Sequence, residues 1–147
     1  MNLKIRRFES GDLQSIYELL SDGEVMRYIE PPYTFEQART FLEDAALTEP
    51  PLVYAVEDEN KTFIGYVIYH DYDEGSKEIG WVLNKRFWGN GFAETLTAQL
   101  IRKAAADGKS TIIECSPEQA VTRHIAKKFG FTYAGFINGC DVYKLNQ

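Results

Sequence analysis

A chain of 147 residues with 44% hydrophobic and 26% charged side chains has the size and composition of one globular domain, 1–147, and is neither disordered nor fibrous. Its formal net charge of −6 excludes the broad basic surface that nucleic-acid binding demands, so any anionic ligand needs a local site. Cys115 and Cys140, the two cysteines, lack metal-site or disulfide-framework spacing, and free thiols point to a reducing cytoplasm with no bound metal.

Lys4, Arg6 and Arg7 lead into Glu9 and Asp12, not into an apolar run, so the start does not read as a signal peptide. The longest apolar stretch, Phe63 to Tyr69, contains Gly65 and is too short to span a bilayer, which predicts no membrane embedding. Asn2–Phe8 alternates as a first strand. Leu13, Ile16, Tyr17 and Leu20 then recur at helical spacing until Ser21-Asp22-Gly23. Pro31-Pro32 imposes an extended turn before Thr34-Phe35-Glu36-Gln37, a capping box. It opens a second helix with Ala38, Phe41, Leu42 and Ala45 on one face, ending before Pro50-Pro51. Leu52–Glu57, Phe63–His70 and Glu78–Leu83, separated by turn-rich segments, read as an antiparallel meander. Ala93–Ala106 carries the helical stripe Leu96, Leu100 and Ile101 and exits through Asp107-Gly108. Thr111–Cys115 is a short strand, and Ser116-Pro117-Glu118-Gln119 predicts an N-cap for a fourth helix running to Lys128 and closed by Gly130. Phe131–Ile137 and Cys140–Leu145 flank Asn138-Gly139, a strong hairpin signal. The order β-α-α-β-β-β-α-β-α-β-β belongs to the α+β class, with no repeat or interdomain linker.

The segment Glu78 to Ala93 runs strand, glycine-bearing loop, helix start. Unpaired N–H groups converge at such a junction and the helix dipole favours an anion, which suits a phosphate or diphosphate. Gly89 and Gly91 leave the backbone open to approach. Two turn glycines at a helix N-terminus are the equally weighted structural reading. A dinucleotide fingerprint wants glycine where Glu94 stands, and a P-loop wants Gly-Lys-Ser/Thr, so neither applies.

Arg86-Phe87-Trp88-Gly89-Asn90-Gly91 resembles, without a gap, the Gln/Arg-x-x-Gly-x-Gly/Ala acyl-CoA signature of the GNAT acetyltransferases. Glu78-Ile79-Gly80-Trp81 resembles the fourth strand of the ribosomal-protein N-terminal acetyltransferase branch, and Lys127-Lys128-Phe129-Gly130-Phe131 the close of the family's last helix. With the matching element order, the resemblance covers essentially the whole chain. It implies a mixed, mainly antiparallel central sheet flanked by helices, with the fourth and fifth strands splayed. It also implies acetyl-CoA as co-substrate. The diphosphate would lie on the backbone of Arg86, Phe87, Trp88, Gly89, Asn90, Gly91, Phe92 and Ala93, and the pantetheine arm would pair with Val82 and Leu83. Gln119 and Thr122 stand where the family often has a CoA-contacting asparagine and serine. Lys85, Arg86, Arg123, Lys127 and Lys128 are candidates for added positive charge, Lys85 and Lys128 being read as ordinary solvated residues. Gln119 and Thr122 keep polarity but depart from that pattern, and two further positions depart as well: Ala126 replaces a tyrosine general acid, and Thr95 replaces a glutamate of the ribosomal-protein branch.

The resemblance further implies N-acetylation of a primary amine, on a small molecule or a peptide N-terminus, by direct attack. Amines are largely protonated at neutral pH, so a base is required, and Glu78 is the candidate, weighed against an ordinary strand carboxylate. The Val82 N–H is expected to hold the oxyanion. Tyr28, Glu30, Tyr33, Tyr133 and Asp141 are expected to line the acceptor mouth, where aromatic walls and carboxylates suit an ammonium. His124 reads as solvent-facing and Cys115 as a core residue. A non-catalytic acyl-CoA-binding or sensing module is the alternative, and an interaction protein sharing the fold ranks below it. Either a monomer or a homodimer is expected.

Overall fold

The computed structural model describes residues 2–146. Its elements are β1 (Lys4–Arg6), α1 (Leu13–Leu20), α2 (Phe35–Phe41), β2 (Val53–Glu57), β3 (Phe63–Asp73), β4 (Ser76–Leu83), α3 (Phe92–Ala106), β5 (Ser110–Cys115), α4 (Ala120–Lys128), β6 (Thr132–Ile137) and β7 (Cys140–Leu145). The element order is the one the sequence predicts. The strands form one seven-stranded sheet in the order β1-β2-β3-β4-β5-β7-β6. All neighbours are antiparallel except β4 and β5, which run parallel.

Side-chain alternation gives this sheet two apolar faces. Val53 and Ala55 of β2, Tyr66 of β3 and Val82 of β4 pack against Ile16, Leu19 and Leu20 of α1 and Ala38 of α2. Val56, Ile64, Val67, Ile79, Leu83 and Ile113 point the other way, onto Leu96, Leu100 and Ala104 of α3 and Ala126 of α4. The result is a three-layer arrangement, helices on both faces of a mixed sheet.

Local chemistry explains most boundaries. Thr34 accepts from the Gln37 N–H at 3.2 Å while the Gln37 side chain accepts from the Thr34 N–H at 2.8 Å, so the capping box forms as expected. Asn138 and Gly139 take φ of 52° and 83°, the two positive values that a tight two-residue hairpin requires. The start of α4 differs from the expectation. Gln119 donates its N–H to the Ser116 carbonyl at 3.0 Å, and its side chain folds back to accept from the Ser116 N–H at 2.8 Å. Residues 116–119 close into a turn, and the helix begins at Ala120 with Gln119 as its N-cap. The first strand is shorter than Asn2–Phe8, and β3 runs on to Asp73, where the Gly75 N–H bonds the Asp73 carboxylate at 2.9 Å.

Candidate active site

The parallel pairing of β4 with β5 consists of Ser76↔Ser110, Lys77↔Thr111 and Glu78↔Ile112, and there it stops. Beyond Glu78, β4 continues to Leu83 on β3 alone, so the two strands splay as the resemblance implied. Two hydrogen bonds fix which amides face the gap. Ser110 donates to the Gly75 carbonyl at 2.9 Å, which turns the odd-numbered amides of β4 toward β5. Asn84 donates to the Ile64 carbonyl at 2.8 Å, which turns the even-numbered amides toward β3. The Trp81 and Leu83 N–H groups therefore look into the gap. The expectation for the Val82 N–H is corrected: it faces β3 opposite Tyr66, because strand amides alternate sides.

The gap leads into the loop before α3. Lys85–Phe87 form a 3-10 turn, and the Trp88 indole N–H donates to the Leu83 carbonyl at 3.0 Å, folding the loop back on the end of β4. The Phe87 and Phe92 rings, 6.0 Å apart, tie the two ends of the loop together, and Asn90 bonds the Phe87 carbonyl at 3.3 Å. Gly89 and Gly91 have φ of 79° and 77°, a region that side chains other than glycine's resist. A Cβ built on Gly89 would meet nothing within 4 Å, so this stretch of backbone is open. Gly91 caps α3 without a side-chain bond. The N–H groups of Phe92, Ala93 and Glu94 have no carbonyl partner inside the helix and leave its positive end exposed. This backbone cradle fits a diphosphate, and the outward amides of Trp81 and Leu83 fit an amide-bearing arm, so the residues present suit acetyl-CoA.

Among the candidate cations, Lys85 is paired with Glu24 at 2.6 Å and Lys128 with Glu94 at 2.8 Å. Arg86 stacks 4.7 Å over the Phe87 ring at the loop surface. Thr122 lies half-buried in the first turn of α4, and the side chain of Gln119 is committed to its own turn. His124 is exposed and Ala126 buried. Cys115 packs in the core, where burial pushes its thiol up to about 11.

At the crotch of the splay, Glu78 shares a strand face with Gly80 and Val82, the face that carries α1 and α2. Its side chain is 19% exposed, and Oε1 lies 3.7 Å from Nε2 of His70, the paired residue on β3. On β5, Glu114 points the same way as Ile112, the partner of Glu78. Burial raises the Glu78 pKa; His70 opposes that shift and the Glu114 carboxylate adds to it. Trp81, His70 and Glu114 were not among the sequence candidates. A carboxylate inside the apolar strand Thr111–Cys115 was a visible signal for Glu114, whereas Trp81 and His70 are identified by pairing register alone.

A groove of about 520 Å³ opens beside the C-terminal end of β5, between segment 23–32 and the loop following that strand. Met26, Arg27, Tyr28, Glu30, Ser116 and Glu118 line it, with the Arg27 guanidinium 5.1 Å over the Tyr28 ring. The Tyr33 hydroxyl bonds Glu30 from behind, and burial together with that carboxylate pushes Tyr33 up to about 12. Tyr133 and Asp141, 3.3 Å apart, do not join this wall. Asp141 pairs with Cys115 and Tyr133 with Tyr143, so both face the α3–α4 layer. The expected acceptor mouth is split between the two faces of the sheet. Among the described residues, no group of three or more His, Cys, Asp or Glu side chains could hold a metal ion, and no helix is long and apolar enough to cross a membrane.

Known proteins resemble the chain along nearly its whole length. The model of the acetyltransferase (GNAT) domain matches residues 2–132. An uncharacterized N-acetyltransferase of Bacillus subtilis, YnaD, is 30% identical over 142 residues, covering 94% of this chain and 84% of that protein. Among solved structures, a GNAT-family acetyltransferase from Bacillus anthracis superposes with a TM-score of 0.86 at 25% identity, covering 99% of this chain and 95% of the other. Spermidine N-acetyltransferase from Vibrio cholerae, solved with CoA and spermine, gives 0.79 at 26% identity, covering 97% and 93%.

Proposed function

The chain belongs to the GNAT family of acetyltransferases, and from that premise we propose that it moves the acetyl group of acetyl-CoA onto the primary amine of a small cationic molecule by direct attack. One observation carries the reading. The amides of Trp81 and Leu83, freed by the splay, lead into the glycine-lined N-terminus of α3, with the half-buried carboxylate of Glu78 at the crotch.

In this reading the diphosphate rests on the backbone from Arg86 to Ala93, and the pantetheine arm pairs with Trp81 and Leu83. An alkyl amine with a pKa of about 10.4 arrives protonated, and Glu78 takes that proton. The neutral nitrogen attacks the thioester carbonyl, whose developing negative charge meets the Trp81 N–H. As the tetrahedral adduct collapses, the second proton of the nitrogen passes to the departing sulfur, giving the amide and the CoA thiol, and a thiol pKa of about 8.5 lets that sulfur leave without the tyrosine that Ala126 replaces. Gln119 and Thr122 lie at the start of α4 as secondary contacts.

The groove supplies the Glu30 and Glu118 carboxylates for the cation, which would take the place of the Arg27 guanidinium over the Tyr28 ring. The spermidine N-acetyltransferase likeness supports a cationic amine over a peptide terminus. The matches support the GNAT domain and do not single out the ribosomal-protein branch.

A panel of mono-, di- and polyamines, assayed for CoA release with acetyl-CoA, tests this. Turnover with a cationic amine is expected, and Gly91→Val should abolish acetyl-CoA binding in a folded protein. CoA binding without turnover on any amine would return the non-catalytic reading. Unaltered affinity in Gly91→Val would overturn the assignment of the loop.

A further inference from the structure

Glu78 is 81% removed from solvent at its side chain, since 19% remains exposed, and a base in that position has to return one proton to water in every turnover. Resting on the reading of Glu78 as base, we propose that His70 is the residue through which that proton leaves.

The geometry sets the tautomer. His70 Nδ1 lies 3.0 Å from the Asp71 carbonyl, which can only accept, so Nδ1 carries the hydrogen. In the neutral ring this leaves the lone pair on Nε2, the nitrogen that faces Glu78 Oε1 at 3.7 Å. A small side-chain rotation closes that distance. The imidazole is 28% exposed against 19% for Glu78 and so offers the proton the wetter exit.

The other groups around Glu78 are poorer proton acceptors. From β3, Tyr72 engages Glu114, and its pKa is raised by burial and by nearby carboxylates, so it holds its own proton. From β7, the Cys140 thiol is raised for the same causes. Glu114 on β5 is a second negative charge, already engaged by Tyr72. Among these, His70 alone presents an unprotonated nitrogen to Glu78.

The step balances without any further reagent. The ammonium proton of the acceptor passes to the Glu78 carboxylate, then from the carboxylic acid to His70 Nε2, giving an imidazolium. The imidazolium keeps its Nδ1 hydrogen on the Asp71 carbonyl, gives the Nε2 proton to water and returns to the same neutral tautomer. His70 touches neither substrate and is a relay acting through Glu78.

Chemical rescue tests the relay. In His70→Ala, kcat should fall about tenfold or more at low buffer concentration, with acetyl-CoA affinity unchanged. Added imidazole should restore it in a concentration-dependent way, while the wild type should be insensitive to imidazole. His70→Asn, which keeps an N–H for the Asp71 carbonyl, should show the same loss if the alanine variant folds poorly. Wild-type kcat in either folded variant would overturn the proposal, as would a loss that imidazole leaves untouched. Glu78→Gln separates the two readings. It should remove the acid limb of the rate profile and the imidazole response of His70→Ala, whereas a wild-type profile in Glu78→Gln would overturn the base assignment itself.

Discussion

Glu78 and Glu114 project from neighbouring strands onto one face of the sheet, and the Glu114 carboxylate therefore opposes the ionisation of Glu78. Burial is the larger influence on Glu78 and acts in the same direction, upward; His70 acts against both. A general base works deprotonated, so a raised pKa moves the acid limb of kcat/KM to higher pH. Removing the Glu114 charge removes one raising influence. Glu114→Gln should shift that limb to lower pH and leave the variant more active than wild type below the limb. A profile of kcat/KM against pH with a saturating second substrate measures this, and an unmoved limb would show that the two carboxylates do not communicate. At this scale the sequence was partly legible. Glu78 stood out through its resemblance to a family position, and the Arg86–Ala93 loop through its glycines. The choice between Val82 and Trp81 was not visible, since it depends on which edge of β4 each amide faces, and that is set by the Ser110 to Gly75 and Asn84 to Ile64 bonds.

The end of β4 is held in place by an element that carries no chemistry. Gly65 of β3 has φ of 155°, and a Cβ there would lie 2.2 Å from the Val82 carbonyl oxygen and 2.9 Å from the Leu83 Cα. Both obstacles are backbone, so neither can rotate away. Gly65→Ala should cost about 3 kcal/mol or more of stability, the range of a severe backbone clash, read by denaturant unfolding. Whatever folded protein remains should bind acetyl-CoA more weakly, because the clash pushes on the strand that presents the Trp81 and Leu83 amides. Gly89→Ala is the contrast. Its Cβ enters open space, and only the left-handed backbone resists, at about 1–2 kcal/mol. Equal destabilisation by the two substitutions would show that the β3–β4 contact is looser than its geometry indicates. The Thr34 capping box and the Asn138-Gly139 turn were legible because their bonds lie within a few residues. The start of α4 was misread for an equally local reason: Ser116-Pro117-Glu118-Gln119 makes the side-chain bond of a capping box, but Gln119 takes φ −81° and ψ 75°, outside the helical region, so the turn closes before the helix begins.

Across the whole molecule, element order was readable from hydrophobic period and punctuation, while strand order was not. No local pattern states that β7 inserts between β5 and β6, or that Cys115 pairs with Asp141. That register turns Asp141 and Tyr133 away from the Glu30 groove, which is why the acceptor residues expected together fall on opposite faces. The molecule's charge of −6 acts at long range and makes a further demand on the proposed chemistry, because the two substrates differ in sign. A polyamine is drawn toward this protein and acetyl-CoA is repelled by its overall field, while the α3 N-terminus supplies a short-range attraction for phosphate. Screening shortens from a Debye length of about 10 Å at about 0.1 M salt to about 3 Å at about 1 M. Raising the salt should therefore lower kcat/KM for a di- or polycationic amine severalfold, leave kcat nearly constant, and affect kcat/KM for acetyl-CoA weakly or in the opposite direction. Replacing Glu30 and Glu118, the carboxylates lining the groove, by glutamine should flatten the amine's salt dependence if they form its local attraction. Identical salt slopes for the two substrates, or a slope unchanged in the double variant, would place the cation's binding site elsewhere on the molecule.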